Sequence, residues 1–158
     1  MPNEISVAPL HVADRFAIVV AQWNRAITGR LCEGAIATLR EAGIADDGID
    51  VAWVPGSWEL PLVAQEFAKT DRYAAILCLG AVVRGETSHD QHINRGVSLA
   101  ISDIALQYRV PVMFGVLTCE TMEQAVDRAG GKHGNKGSEC AEAALHMVGL
   151  LKNLRHVE

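Results

Sequence analysis

The segment Arg84–His89 combines an imidazole with the features of an anion-binding turn. Gly85 lets the main chain turn tightly, and Thr87 and Ser88 stand where a helix begins. The free N–H groups of such a first turn can bind an anion. The imidazole of His89 is suited to moving protons near neutral pH. The segment fits either a phosphate cradle beside an acid–base histidine or a helix cap beside a surface histidine.

A second candidate site is a basic cluster within nine residues, made of Arg128, Lys132, His133 and Lys136. The formal net charge is −5, so a local cluster is needed to attract an anionic ligand. The glycine-rich stretch around it is not a Walker A loop, because Asn135 precedes the lysine and Gly137 replaces the Ser or Thr. The cluster fits an anion site or a solvated helix end.

Two of the three tryptophans lie at or just beyond the carboxyl ends of predicted strands. Trp23 and Asn24 end the first strand, and Ser57, Trp58 and Glu59 follow the second. Ligands of open parallel sheets bind beyond the carboxyl ends of the strands. Two tryptophans at that rim fit a stacking platform for a planar ring, with ordinary packing as the alternative.

Apolar runs alternate with helical periodicity along the chain. Strands are predicted at 15–23, 49–54, 73–83 and 110–117, and helices at 25–43, 59–69, 88–108, 121–128 and 138–154. This order predicts a three-layer α/β/α fold with a flavodoxin-like four-stranded parallel sheet and helices on both faces. Residues 1–14 are predicted to be a loosely ordered arm, and residues 15–158 a single domain.

Composition excludes several classes of protein. The longest apolar run, 74–83, is about half of a membrane-spanning helix, and an acidic chain without a basic stripe is a poor nucleic-acid binder. The four cysteines are widely spaced without a CxxC pair, which predicts reduced thiols in a cytoplasmic protein. Glu86 and His89 have metal-motif spacing, but no second copy exists, so no metal is expected.

Five segments in order, from residue 16 to about 147, resemble the 6,7-dimethyl-8-ribityllumazine synthases of riboflavin biosynthesis. They read FAIVVAQWN, PGSWELP, LGAVVRGETSHD, FGVLTCE and QAVDRAGGKHGNKG. The resemblance implies condensation of 5-amino-6-(D-ribitylamino)uracil with 3,4-dihydroxy-2-butanone 4-phosphate, releasing phosphate and water. It implies no metal and no cofactor.

The resemblance also assigns roles to residues. The implied substrate-binding residues are Trp23, Asn24, Ser57, Trp58, Glu59, Ala81, Val82, Val83, Glu86, Thr87, Phe114, Arg128 and Lys136. Trp23 would stack on the pyrimidine, whose edge the main chain at 81–83 would read. His89 would be the general acid–base residue, with Glu139 as its acidic partner. Arg128 would bind the phosphate, and both it and Phe114 would come from the neighbouring subunit.

The resemblance implies a homopentamer with active sites at the subunit interfaces, twelve of which form a sixty-subunit shell in some members. It also makes riboflavin synthase a candidate partner. The short loop 130–137, which has no insertion, resembles that of the shell-forming members. Trp23 replaces the commoner phenylalanine, and its larger ring predicts measurable binding of riboflavin. A non-catalytic flavin-binding protein and a phosphate-dependent enzyme of another flavodoxin-like family are the alternatives.

Overall fold

The computed structural model describes residues 1–156. The strands are β1 (Phe16–Ala21), β2 (Ile49–Val54), β3 (Ala75–Val83), β4 (Val112–Cys119), β5 (Ala129–Gly131) and β6 (Gly134–Asn135). The helices are α1 (Arg25–Glu41), α2 (Leu60–Lys69), α3 (His89–Tyr108), α4 (Met122–Asp127) and α5 (Lys136–Arg155).

The four long strands form one parallel sheet in the order β2-β1-β3-β4. All six residues of β1 are buried, as a strand covered on both faces requires. Their side chains alternate between two cores. Ile18 and Val20 belong to the core that α1 and α5 cover, whereas Ala17 and Val19 belong to the core under α2 and α3. The predicted three-layer α/β/α architecture is confirmed.

Several predicted boundaries differ from the observed ones. The first strand is shorter than 15–23, and the second helix is preceded by a 3₁₀ turn over Ser57–Glu59. The predicted loop 130–137 contains the short antiparallel pair β5 and β6. Helix α5 begins at Lys136, two residues before the predicted start. The Asn135 side chain fixes this start, because its Oδ1 accepts hydrogen bonds from the amides of Gly137 (2.8 Å) and Ser138 (3.1 Å).

Residues 1–15 form no helix or strand, and part of this segment lies along α5. The Ala8 amide donates to the Gly149 carbonyl at 3.1 Å, and Asn153 Nδ2 donates to the Ser6 carbonyl at 2.6 Å. Within residues 1–156, no helix has both the length and the apolar character needed to cross a bilayer.

Candidate functional site

A cavity of about 350 Å³ opens at the carboxyl ends of β1 and β3, beside the first turn of α3. Its lining comes from the ends of three strands and from that turn. The lining residues are Trp23, Asn24, Ser57, Ala81, Val82, Val83, Gly85, Thr87, His89, Asp90 and Ile93. Eight of the residues predicted from the sequence are therefore brought together here within one chain.

The edge of β3 that faces this cavity is free of strand partners. The last residue of β3 paired with β1 is Leu79, but β3 continues to Val83. Asn24 occupies part of this edge: it adopts a left-handed conformation (φ 62°), and its Nδ2 donates to the Ala81 carbonyl at 2.9 Å. That carbonyl is thus engaged before any ligand binds. Alternate residues of a strand direct their main-chain groups to opposite edges, so Val83 shares the edge that Asn24 contacts.

Ser57 can reach the cavity because β3 has a glycine, Gly80, at the position that the Ser57 turn packs against. Ser57 is 7% exposed and packs on Gly80 of β3. A Cβ on Gly80 would overlap the Ser57 hydroxyl oxygen and lie 3.3 Å from Leu60 Cδ1. Gly80 therefore permits the close approach of the turn that follows β2.

We expect Gly80→Ala to destabilise the protein by about 1–3 kcal/mol and to weaken ligand binding in the cavity, because the Ser57 turn must shift. Denaturant unfolding measures the first effect. In a Ser57→Ala background the overlapping oxygen is gone, so Gly80→Ala should cost clearly less there. Equal costs in the two backgrounds would show that Gly80 acts through another contact.

Trp58 and Glu59 do not line the cavity, so the predicted platform of two tryptophans does not form within the chain. The Trp58 ring lies against Gly96 of α3, where a Cβ would come within 2.6 Å of the ring, and it is 60% exposed. The Glu59 carboxylate accepts a hydrogen bond from the Gly56 amide at 2.9 Å. Trp23, which is 74% exposed, is the one tryptophan of the described residues that lines the cavity.

The first turn of α3 supplies polar groups to the cavity. Thr87 Oγ1 accepts a hydrogen bond from the His89 amide at 3.3 Å, and His89 itself is exposed at the cavity. Ser88 precedes the helix, but its side chain makes no capping bond. Glu86 is exposed and outside the lining. Gly85 belongs to the turn that the sequence indicated, whereas Asp90 and Ile93 were not predicted; the i, i+4 spacing of His89 and Ile93 was the available signal.

The remaining predicted residues lie elsewhere in the chain. Arg128 donates to both carboxylate oxygens of Glu139, at 2.7 and 3.2 Å, and to the His133 carbonyl at 2.5 Å. The Lys136 ammonium lies 4.0 Å from the same carboxylate. Hydrogen bonding from Arg128 holds the pKa of Glu139 below its ordinary value. Within the chain Glu139 is thus the partner of Arg128, and its predicted pairing with His89 stays a prediction.

Phe114 of β4 is also outside the cavity lining and is partly exposed. In residues 1–156, no three His, Cys, Asp or Glu side chains are grouped so that they could hold a metal ion. All four cysteines are free thiols, and burial raises the pKa of Cys32 and of Cys140 to about 11. Burial also raises the pKa of Cys78 and of Cys119, so none of the four thiols is activated as a thiolate.

A family model described as 6,7-dimethyl-8-ribityllumazine synthase matches residues 13–152. The match includes the whole four-stranded sheet, helices α1 to α4 and most of α5. It also includes every residue that lines the cavity and the Arg128–Glu139 ion pair. The chain therefore belongs to the 6,7-dimethyl-8-ribityllumazine synthase family, an enzyme family of riboflavin biosynthesis.

Proposed function

We propose that this protein condenses 5-amino-6-(D-ribitylamino)uracil with 3,4-dihydroxy-2-butanone 4-phosphate to give 6,7-dimethyl-8-ribityllumazine, the penultimate step of riboflavin biosynthesis. The observation that carries the proposal is the cavity, which places Trp23, His89 and the free edge of β3 around one space within a chain of this family. The condensation releases phosphate and water without net oxidation, so its chemistry requires no redox cofactor.

The cavity offers the pyrimidine a ring to stack on and a main-chain edge to pair with. The exposed ring of Trp23 offers a face for stacking, and such contacts between aromatic rings contribute about 0.5–1.5 kcal/mol beyond buried area. The free main-chain groups at Val83 can pair with the N–H and C=O groups of the pyrimidine edge. Together they fix the ring and present its amine to the second substrate, so that the condensation gains from orientation.

His89 is the proposed acid–base residue. Imine formation, loss of phosphate, ring closure and dehydration each move a proton, and one imidazole can take part in several of these steps. His89 lies at the cavity in the first turn of α3, while its amide is anchored by Thr87. Because orientation supplies part of the rate, loss of the imidazole should slow turnover without abolishing it.

The phosphate site requires a second copy of the chain. No lysine or arginine of residues 1–156 lines the cavity, whereas Arg128 and Lys136 form a separate cationic group. A neighbouring subunit that brings this group and Phe114 to the cavity would complete the site. We propose a homopentamer with its sites at the subunit interfaces, assembled into a sixty-subunit shell that could hold riboflavin synthase. Exposed Leu62, Leu99 and Leu106 supply apolar surface for such contacts.

An assay with both substrates tests this function. We expect a new lumazine absorbance and fluorescence together with release of one phosphate for each lumazine formed. Omitting either substrate is the control. A protein that binds riboflavin but forms no lumazine would instead be a non-catalytic flavin-binding protein. Light scattering on the purified protein separates a pentamer from a shell.

A further inference from the structure

Asp90 lines the cavity next to His89, and the proposed mechanism does not use it. It is the second residue of α3 and the one carboxylate among the described residues of the lining. Its Oδ1 is fully covered, yet no described residue donates a hydrogen bond to it. No lysine, arginine or histidine of residues 1–156 lies within 4 Å of the carboxylate as an ion-pair partner.

This placement restricts the kind of ligand group that Asp90 can contact. A carboxylate accepts hydrogen bonds and donates none, so it pairs with N–H and O–H groups. The positive end of α3 favours the negative charge of Asp90 at this position. The same charge repels a phosphate placed in this turn, which leaves the phosphate to the Arg128 side of the completed site.

We propose that Asp90 is a specificity-determining residue that accepts a hydrogen bond from an amine or hydroxyl group of the polyol-bearing aminopyrimidine. The proposal rests on the proposed function, whose pyrimidine substrate carries both kinds of donor. Oδ1 is covered by the chain itself, so the ligand would reach the other carboxylate oxygen, which is not covered in this way and has no hydrogen-bond partner among the described residues. Asp90 thereby distinguishes the donor-rich pyrimidine from the phosphate substrate inside one cavity.

Asn94 offers a competing explanation for the covered oxygen. It lies one helical turn after Asp90, and its Oδ1 is also covered without a hydrogen-bond partner. The reversed orientation of the Asn94 amide would turn its NH₂ group toward that side of the helix. Asp90 would then stabilise α3 through a hydrogen bond with Asn94 instead of contacting a ligand. An Asn94→Ala background, which removes that hydrogen bond, separates the two explanations.

The test uses Asp90→Asn, which removes the charge and keeps the size. Steady-state kinetics should show a rise of about 10-fold or more in KM for the pyrimidine, with KM for the phosphate substrate unchanged or lower. The matched control is Asp103→Asn, an exposed aspartate near the other end of α3. Asp90→Ser replaces the asparagine variant if thermal unfolding shows that the latter is unstable.

Titration of the intrinsic tryptophan fluorescence, to which Trp23 at the cavity contributes, identifies the donor without relying on turnover. The probes are 5,6-diaminouracil, which lacks the polyol, and 6-(ribitylamino)uracil, which lacks the 5-amino group. The difference in dissociation constant between wild type and Asp90→Asn should disappear for the probe that lacks the donor group contacted by Asp90. The proposal is overturned if wild type and Asp90→Asn bind each probe and the full pyrimidine with the same affinity. It is also overturned if the affinity difference caused by Asp90→Asn disappears in the Asn94→Ala background. Absence of lumazine with wild type refutes the proposed function, while these titrations still report on Asp90.

Discussion

Replacing Arg128 with alanine should lower kcat/KM by about 1,000-fold, a larger loss than the roughly 100-fold expected for His89→Ala. A leaving phosphate needs fixed positive charge as its bond breaks, and water replaces a guanidinium poorly. Water can take over some of the proton transfers of His89, because the substrates are still held in the correct orientation. The loss for Arg128→Ala should include a large rise in KM for the phosphate substrate, measured by steady-state kinetics.

The contacts of Arg128 suit it to a ligand that arrives from another subunit. Three hydrogen bonds, two to Glu139 and one to the His133 carbonyl, hold the guanidinium in place. An arginine has five N–H donors, so two remain for a phosphate without breaking the ion pair. A guanidinium stays protonated at neutral pH, so Arg128 keeps its positive charge while it is paired with Glu139.

Mixed oligomers test whether Arg128 acts across the interface. Arg128→Ala and His89→Ala chains are each defective, but co-assembly creates some interfaces that carry intact copies of both residues. In an equal mixture with random assembly, about a quarter of the sites are intact, and activity should rise well above that of either variant alone. If Arg128 acted within its own chain, every site would stay defective and the mixture would show no gain.

The sheet was predictable because its central strands, β1 and β3, are buried on both faces. Continuous apolar runs such as Phe16–Ala21 have few other stable placements, and their alternation with helices requires parallel crossovers. The ends of the elements were less predictable, because capping and turn geometry decide them. The short hairpin of β5 and β6 contains too few residues to show a strand period, and the Asn135 cap is one residue in a loop rich in polar groups.

The position of the cavity could be predicted from the sequence, but the orientations of the side chains around it could not. The carboxyl ends of β1 and β3 with the first turn of α3 follow from the fold. Trp58 turns away because the 3₁₀ turn after β2 directs its ring onto Gly96, a contact between distant residues. The pairing of Glu139 with Arg128 depends equally on the hairpin that brings α4 and α5 together. Sequence spacing alone predicts neither the orientation of the Trp58 ring nor the pairing of Glu139 with Arg128.

Gly137→Ala should destabilise the protein by about 3 kcal/mol or more, the largest stability effect expected for a single methyl group in this chain. A Cβ on Gly137 would overlap the carbonyl oxygen of Leu31, where the first turn of α5 crosses α1. Both groups belong to helix backbones, so no side-chain rotation relieves the overlap. The Asn135 side chain reinforces the crossing, because Nδ2 donates to the Arg30 carbonyl at 3.0 Å while Oδ1 caps α5.

Gly29→Ala is the matched control, since it places the same methyl group within α1 where nothing of the chain lies within 4 Å. Alanine is favoured over glycine inside a helix by up to about 1 kcal/mol, so Gly29→Ala should be neutral or stabilising. The same propensity acts at Gly137, but the backbone overlap exceeds it. Thermal and denaturant unfolding at equal protein concentration measure both variants. If Gly137→Ala were as stable as wild type, α1 and α5 would have to separate at little cost, and the tight crossing would not contribute to the stability of the fold.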